Sequence, residues 1–210
     1  MNFAANLFII SAASGAGKST MLRRLFAELS PVSPMKFSVS HTTRAMREGE
    51  TNGVEYHFVT QERFREMIAE NDFLEWAEVF GNYYGTSRSA VEESLSQGTD
   101  VFLDIDWQGA RQIRKVFPGA RSVFILPPGL DELRRRLEGR GQDSPEIIAG
   151  RMEKARGEIV HYDEYDYVIV NDDLDEACRQ LKAVVTAERT RLSCQKIRQA
   201  DLISRLLSGS

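Results

Sequence analysis

The chain has 210 residues, enough for one domain or for one core carrying insertions. Hydrophobic residues make up 42 % and charged residues 28 %, and the formal net charge of −4 lacks the basic footprint of a nucleic-acid binder. No stretch approaches the ~18–20 apolar residues of a membrane span. Cys178 and Cys194 form no metal-spaced pair and read as free thiols of a reducing cytosol. The expectation is a cytoplasmic protein with no nucleic-acid or membrane partner; a homo-oligomer stays open.

The first element is an apolar run, Leu7–Ser11, which reads as a buried strand. The loop Ala12-Ala13-Ser14-Gly15-Ala16-Gly17-Lys18-Ser19-Thr20 follows and enters a helix predicted over Ser19–Leu29. Strand, small-residue loop, Gly-Lys-Ser and helix together are the context of a phosphate-binding P-loop. Gly15 and Gly17 let successive N–H groups face one anion, and the helix N-terminus adds its dipole. Lys18 can reach β- and γ-phosphates, and the Ser19 hydroxyl can ligate Mg²⁺. One departure is visible: the position that usually opens the pattern with Gly is Ala12, a small obstacle if φ there is negative.

Strands are predicted next at Phe37–Ser40, Val54–Val59, Phe73–Phe80, Val101–Ile105, Ser122–Leu126 and Tyr167–Val170. Helices are predicted at Gln61–Asn71, Ser87–Ser96, Gln108–Val116, Leu130–Glu138, Pro145–His161 and, as one long amphipathic element, Leu174–Leu207. Such alternation argues for an α/β fold, a parallel sheet wrapped by helices. The pattern turns irregular and Gly-punctuated between about residues 36 and 90, which suggests a small, partly antiparallel insertion. Glu138-Gly-Arg-Gly-Gln-Asp-Ser-Pro145 has the composition of a lid. The expected division is a P-loop core of residues 1–36, 90–137 and 158–210, an insertion of 37–89 and a lid of 138–157.

Inside the insertion, Arg44 and Arg47 are three residues apart and can converge on one anion, with Tyr56 adding a hydroxyl donor. Taken alone, Arg-x-x-Arg reads rather as a solvated basic turn. In context, Thr-Thr-Arg-x-x-Arg-x-Gly-Glu-x-x-Gly-x-x-Tyr-x-Phe, beginning at Thr42, resembles the signature of guanylate kinases. The resemblance continues through Gly81-Asn-Tyr-Tyr-Gly-Thr86, Leu103-Asp-Ile-Asp-Trp-Gln-Gly109, Arg136-Leu-Glu-Gly-Arg-Gly141 and Ile169-Val-Asn-Asp-Asp173, nearly the whole chain in order. The bacterial type is the nearest in pattern.

That resemblance implies a nucleoside-monophosphate-kinase-like core, a mixed α/β GMP-binding insertion and a helical lid. It implies ATP and GMP as partners, Mg²⁺ as cofactor, and ADP and GDP as products. Ser40, Arg44, Arg47, Tyr56, Glu75, Tyr84, Thr86, Asp104 and Asp106 fall on positions of the GMP site. Arg44, Arg47, Tyr56 and Tyr84 would hold the phosphate; Glu75, Ser40, Thr86 and Asp106 would address the base. Chemistry supports Glu75 independently, because guanine offers N1–H and an N2 amine on one edge and a carboxylate accepts both. Adenine lacks that pair and would leave a buried carboxylate unpaired. Taken alone, Glu75 reads rather as a surface carboxylate on a half-exposed strand.

Asp104 and Asp106 end an apolar run beside the loop, where such an Asp commonly helps hold Mg²⁺. Asp104 is the metal candidate with Ser19, whereas Asp106 also suits a helix N-cap. Arg136, Arg140 and Arg151 are expected to stabilise the transferred phosphoryl group together with Lys18 and Arg44, although solvated arginines compete with that reading. Asn171 reads either as an adenine contact or as a turn residue capping the next helix. No general base is needed by an anionic acceptor, so His41, His57 and His161 receive no catalytic role. Two other readings stand: a related small-phosphate kinase, which would have no reason to keep Glu75, and a non-catalytic phosphopeptide module, which typically loses a working P-loop.

Overall fold

The computed structural model describes residues 3–79, 81–139 and 144–208. In chain order the elements are β1 (Leu7–Ala12), α1 (Lys18–Leu29), β2 (Met35–Phe37), β3 (His41–Thr42), β4 (His57–Phe58), α2 (Gln61–Ala69), β5 (Phe73–Val79), β6 (Asn82–Ser87), α3 (Arg88–Ser96) and β7 (Asp100–Asp104). Then come α4 (Trp107–Val116), β8 (Arg121–Leu126), α5 (Leu130–Glu138), α6 (Pro145–Ile159), a 3-10 turn (Tyr162–Glu164), β9 (Tyr167–Val170), α7 (Leu174–Arg189), α8 (Leu192–Arg198) and α9 (Ala200–Ser208).

Five strands form a wholly parallel sheet in the order β2-β7-β1-β8-β9. Its central strands are continuous apolar runs because helices cover both faces. The period of two sorts their side chains. Phe8, Ile10, Phe102, Val123, Ile125 and Ile169 pack under α1, α5, α6 and α7, while Leu7, Ile9, Val101, Leu103 and Phe124 pack against α3 and α4. A second sheet, ordered β4-β3-β6-β5, is mixed: β3 and β4 run parallel, and the other pairs antiparallel. Helix α2 closes it over a small core of Phe64, Met67 and Phe73.

Several elements differ from the sequence expectation. The strand expected at Phe37–Ser40 is instead two, because the chain changes sheets there. Met35–Phe37 pairs with β7, Ser38 N–H donates to Phe102 O at 2.9 Å, and His41–Thr42 joins β6. Val54–Val59 contracts to His57–Phe58, and Asn82–Ser87, where no strand is predicted, is a full strand opposite β5. Phe80, expected to end β5, lies outside the described residues.

The single helix expected over Leu174–Leu207 is three. The break follows Arg189, which turns inward so that its Nε donates to buried Asp100 Oδ2 at 2.5 Å. Gln195 Nε2 then takes the Arg189 carbonyl at 2.9 Å, and the Cys194 thiol donates to Asn6 Oδ1 at 3.3 Å. Long-range partners at the sheet's lower end, invisible to helical periodicity, redirect the chain. Asp100 also accepts the Asn6 N–H at 2.8 Å and lies 3.6 Å from Arg198. Replacing Asp100 by Ala strands the Arg189 charge in the interior, so urea unfolding should show a loss of about 3–5 kcal/mol; an unchanged midpoint would refute this account.

Candidate active site

Strand β1 delivers the loop. Gly15 and Gly17 hold φ of 94° and 99°, the left-handed region open to glycine. Ala12 keeps an ordinary φ, since Asn71 is the one non-glycine residue at positive φ among the described residues. Its methyl group therefore costs the loop no backbone strain. A Cβ at Gly17 would stand 2.2 Å from Asn171 Nδ2, so this glycine is required by space as well as by torsion. Helix α1 begins with no side-chain cap, which leaves its first N–H groups available to an anion.

Cavities lie on both flanks of the loop. The first, about 360 Å³, is walled by Ala12, Ala13, Ser14, Gly15, Gly17, Lys18, Ser19 and Thr20, with Asp104, Asp106 and Arg151 opposite. Ala16 is fully buried beneath it. Lys18 Nζ pairs with Asp104 Oδ1. Asp106 caps α4, accepting the Gln108 and Gly109 N–H groups at 3.0 Å each, and lines the cavity as well. Arg151 Nη2 reaches Ser14 Oγ at 3.1 Å.

A second cavity, about 380 Å³, shares Asp104 and Ile105 with the first and is lined by Ser40, Tyr56 and Thr86. Behind Thr86 stands Glu75, 8 % exposed, whose Oε1 accepts the Thr86 hydroxyl at 2.5 Å. Burial pushes the Glu75 carboxyl up to about 7, with nearby Asp106 adding to the rise and the Thr86 bond opposing it. Gly109 leaves room for this carboxylate, since a Cβ there would lie 3.2 Å from Glu75 Oε2.

Arg44 and Arg47 both meet the carboxylate of Glu50. Arg44 Nη2 donates to Glu50 Oε1 at 2.6 Å, and Arg47 engages Glu50 Oε2 through its main-chain N–H at 2.7 Å, with its side chain exposed. Glu50 is thus the anion of this turn, and the Arg44 guanidinium first among its partners holds its carboxyl below the usual range. The Arg44 guanidinium lies 5.5 Å from the Tyr56 ring centre, and Tyr56 meets Tyr84 edge-on at 5.9 Å.

The third cavity, about 320 Å³, lies on the loop's other flank and includes Gly15, Gly17, Thr20, Arg136 and Asn171. Arg136, expected to help stabilise the transferred phosphoryl group, lines this cavity. Its Nε donates to Glu132 Oε1 at 2.7 Å and its Nη2 to Asn171 O at 3.0 Å, contacts set by the α5 register. Asn171 Nδ2 donates to Ala16 O at 2.7 Å and its buried Oδ1 has no hydrogen-bond partner. The cap of α7 is Asp173, accepting Glu176 N–H at 2.8 Å, so the capping alternative for Asn171 falls away. Arg140 lies outside the described residues.

Sequence reasoning missed Glu50, Lys154 and Glu158. Glu50 stands within the recognised turn but has the sign opposite to the one sought there. Lys154 and Glu158 lie on α6 at three and seven residues beyond Arg151, a spacing that could have placed them on the same side of the helix.

A Gly-Lys-Ser loop at the C-terminal ends of parallel strands, an acidic strand end beside it and a second cavity across that strand define a P-loop phosphotransferase of the nucleoside-monophosphate-kinase class. Residues 4–188 match the family model described as Guanylate kinase. The chain is 58 % identical over 202 residues to a guanylate kinase of Vibrio parahaemolyticus and 56 % identical over 202 residues to one of Pseudoalteromonas translucida, each match covering 96 % of this chain and 97 % of the relative. The crystal structure of guanylate kinase from Anaplasma phagocytophilum superposes with a TM-score of 0.71 at 33 % identity, covering 95 % of this chain and 94 % of that one. This chain belongs to the guanylate kinase family.

Glu75 makes stability depend on pH. The native carboxyl holds its proton to about pH 7, whereas an unfolded one releases it near 4.5. Between those values the folded state binds more protons, so the Glu75 contribution falls as pH rises, and the full penalty applies above pH 7. At about 1.4 kcal/mol per pKa unit this is roughly 3 kcal/mol. Urea titrations at about pH 5 and pH 8 should show the wild type losing that much relative to Glu75→Gln; parallel pH profiles would refute the burial argument.

Proposed function

We propose that this chain transfers the γ-phosphoryl group of ATP to GMP, giving ADP and GDP, and that the carboxylate of Glu75 selects guanine. Family membership supports the reaction, and the observation that carries the base assignment is a buried carboxyl bonded to Thr86 behind the cavity that adjoins the phosphate cavity at Asp104. In this reading residues 37–89 grip the acceptor, residues 138–157 form the lid, and the remainder is the core.

The ATP phosphates would lie on the loop N–H groups and Lys18, with adenine against Asn171 and Arg136 in the third cavity. The unpartnered Asn171 Oδ1 offers an acceptor for an exocyclic amine there. Guanine N1–H and N2 would donate to Glu75, with Ser40, Thr86 and Asp106 around the base. Arg44, Arg47, Tyr56 and Tyr84 would take the GMP phosphate, Arg44 exchanging Glu50 for the incoming anion. Arg151 already stands over the loop at Ser14 and would neutralise charge spread over the equatorial oxygens. The acceptor oxygen is an anion at neutral pH, so the mechanism asks for alignment rather than for a base.

Ser19 and Asp104 fit Mg²⁺: both are hard oxygen donors lining the phosphate cavity. Among the described residues no three His, Cys, Asp or Glu side chains gather to hold a metal, which suits an ion held largely by phosphates and water. When bound, Mg²⁺ supplies charge neutralisation between the phosphates. No helix among the described residues is long and apolar enough to cross a membrane. Two free cysteines agree with a cytoplasmic location, where ATP and GMP are available.

A coupled assay should show ADP release that requires both GMP and Mg²⁺, with preference over AMP on the order of 10⁴-fold; equal rates with AMP would sink the guanine assignment. Lys18→Ala should lose at least ~10²-fold in kcat while keeping its fold by circular dichroism. Guanine binding needs ionised Glu75, so KM for GMP should climb below about pH 7 by up to roughly tenfold per pH unit. Glu75→Gln should flatten that climb and erode GMP selectivity more than ATP binding; retained selectivity would count against the assignment.

A further inference from the structure

Helix α6 holds one residue of the phosphate loop twice. Arg151 donates to the Ser14 hydroxyl at 3.1 Å, and the Ser14 main-chain N–H donates to Glu158 Oε2 at 2.9 Å. These side chains are seven residues apart, about two turns along one side of α6. The Glu158 side chain is 13 % exposed, and its Oε1 lies 3.8 Å from Lys154 Nζ. Glu158 lines the phosphate cavity, yet its carboxylate is engaged with the loop itself.

Ser14 directly precedes Gly15, where the backbone enters its left-handed turn. The peptide feeding that turn sets the aim of the amides that follow. An ionised acceptor on a main-chain N–H makes a bond roughly twice as strong as a neutral one, so Glu158 fixes this peptide firmly. We propose that Glu158 is a positioning residue for the phosphoryl donor: it holds the Ser14 peptide so that the later loop amides stay directed at the ATP phosphates, and it ties α6 to the loop. It touches neither nucleotide. The proposal rests on reading the loop as the ATP cradle.

The test compares Glu158→Ala, Glu158→Gln and Glu158→Asp in the intact chain. Readouts are KM for ATP, KM for GMP, kcat, melting temperature and the Kd of a non-hydrolysable ATP analogue. Glu158→Ala should raise KM and Kd on the ATP side ~10-fold, with KM for GMP within about twofold and the melting temperature nearly unchanged. Glu158→Gln keeps an acceptor oxygen without the charge and should recover part of the loss. Glu158→Asp keeps the charge but draws it away from Ser14, so it should resemble Ala, and it carries the test should the Ala variant not fold.

A wild-type Kd in both Ala and Asp would overturn the proposal. So would equal losses for both nucleotides with a fallen melting temperature, or a Gln variant as impaired as Ala. If the wild type binds the ATP analogue but leaves GMP unphosphorylated, the kinase reading fails separately, and the Kd series alone decides the role of Glu158.

Discussion

Strands β1 and β7 lie side by side and parallel, with Ile10 opposite Asp104. That register brings the end of β7 level with the start of the phosphate loop and lets Asp104 meet Lys18. Shifting the pair by one residue would turn every apolar side chain on β1 to the wrong layer, so the two packed faces of the sheet enforce it. The same pairing puts Ile105 and Asp106 past the strand end, where Asp106 starts α4. The second cavity opens across the shared Asp104 and Ile105.

The second sheet solves a different problem, the placement of a carboxylate in a dry setting. Glu75 lies on β5 at a register irregularity between Phe73 and Glu75 and faces Thr86 on β6. The antiparallel partner supplies a hydroxyl donor for one oxygen, and the small Gly109 leaves space near the other. Burying such a group costs stability. Arg44 and Glu50 show the complementary arrangement, a cation held by an internal anion.

Much of this site is legible in the chain because its parts are local. The loop, its strand and its helix are contiguous, and β9 and α5 occupy the residues their patterns predict. The site is less legible where two distant segments decide one side chain. Arg134, Arg135 and Arg136 are equivalent in sequence, and only the approach of Asn171 selects Arg136 for the third cavity. Glu158 lies 144 positions from Ser14, and no local spacing announces that bond. The short strand β3 escapes prediction because two residues carry too little periodicity to register.

The sequence alone determined the P-loop, the alternation that makes a parallel sheet, and the motif run that resembles guanylate kinases. These follow from backbone freedom at glycine and from apolar spacing, both of which act over a few residues. Tertiary structure decided that the C-terminal segment bends after Arg189, that Glu50 occupies the turn expected to hold an anion, and that α6 closes on Ser14. Each of those outcomes is a charge or N–H group finding its partner across the fold, and such partnerships exist only after packing has brought the elements together.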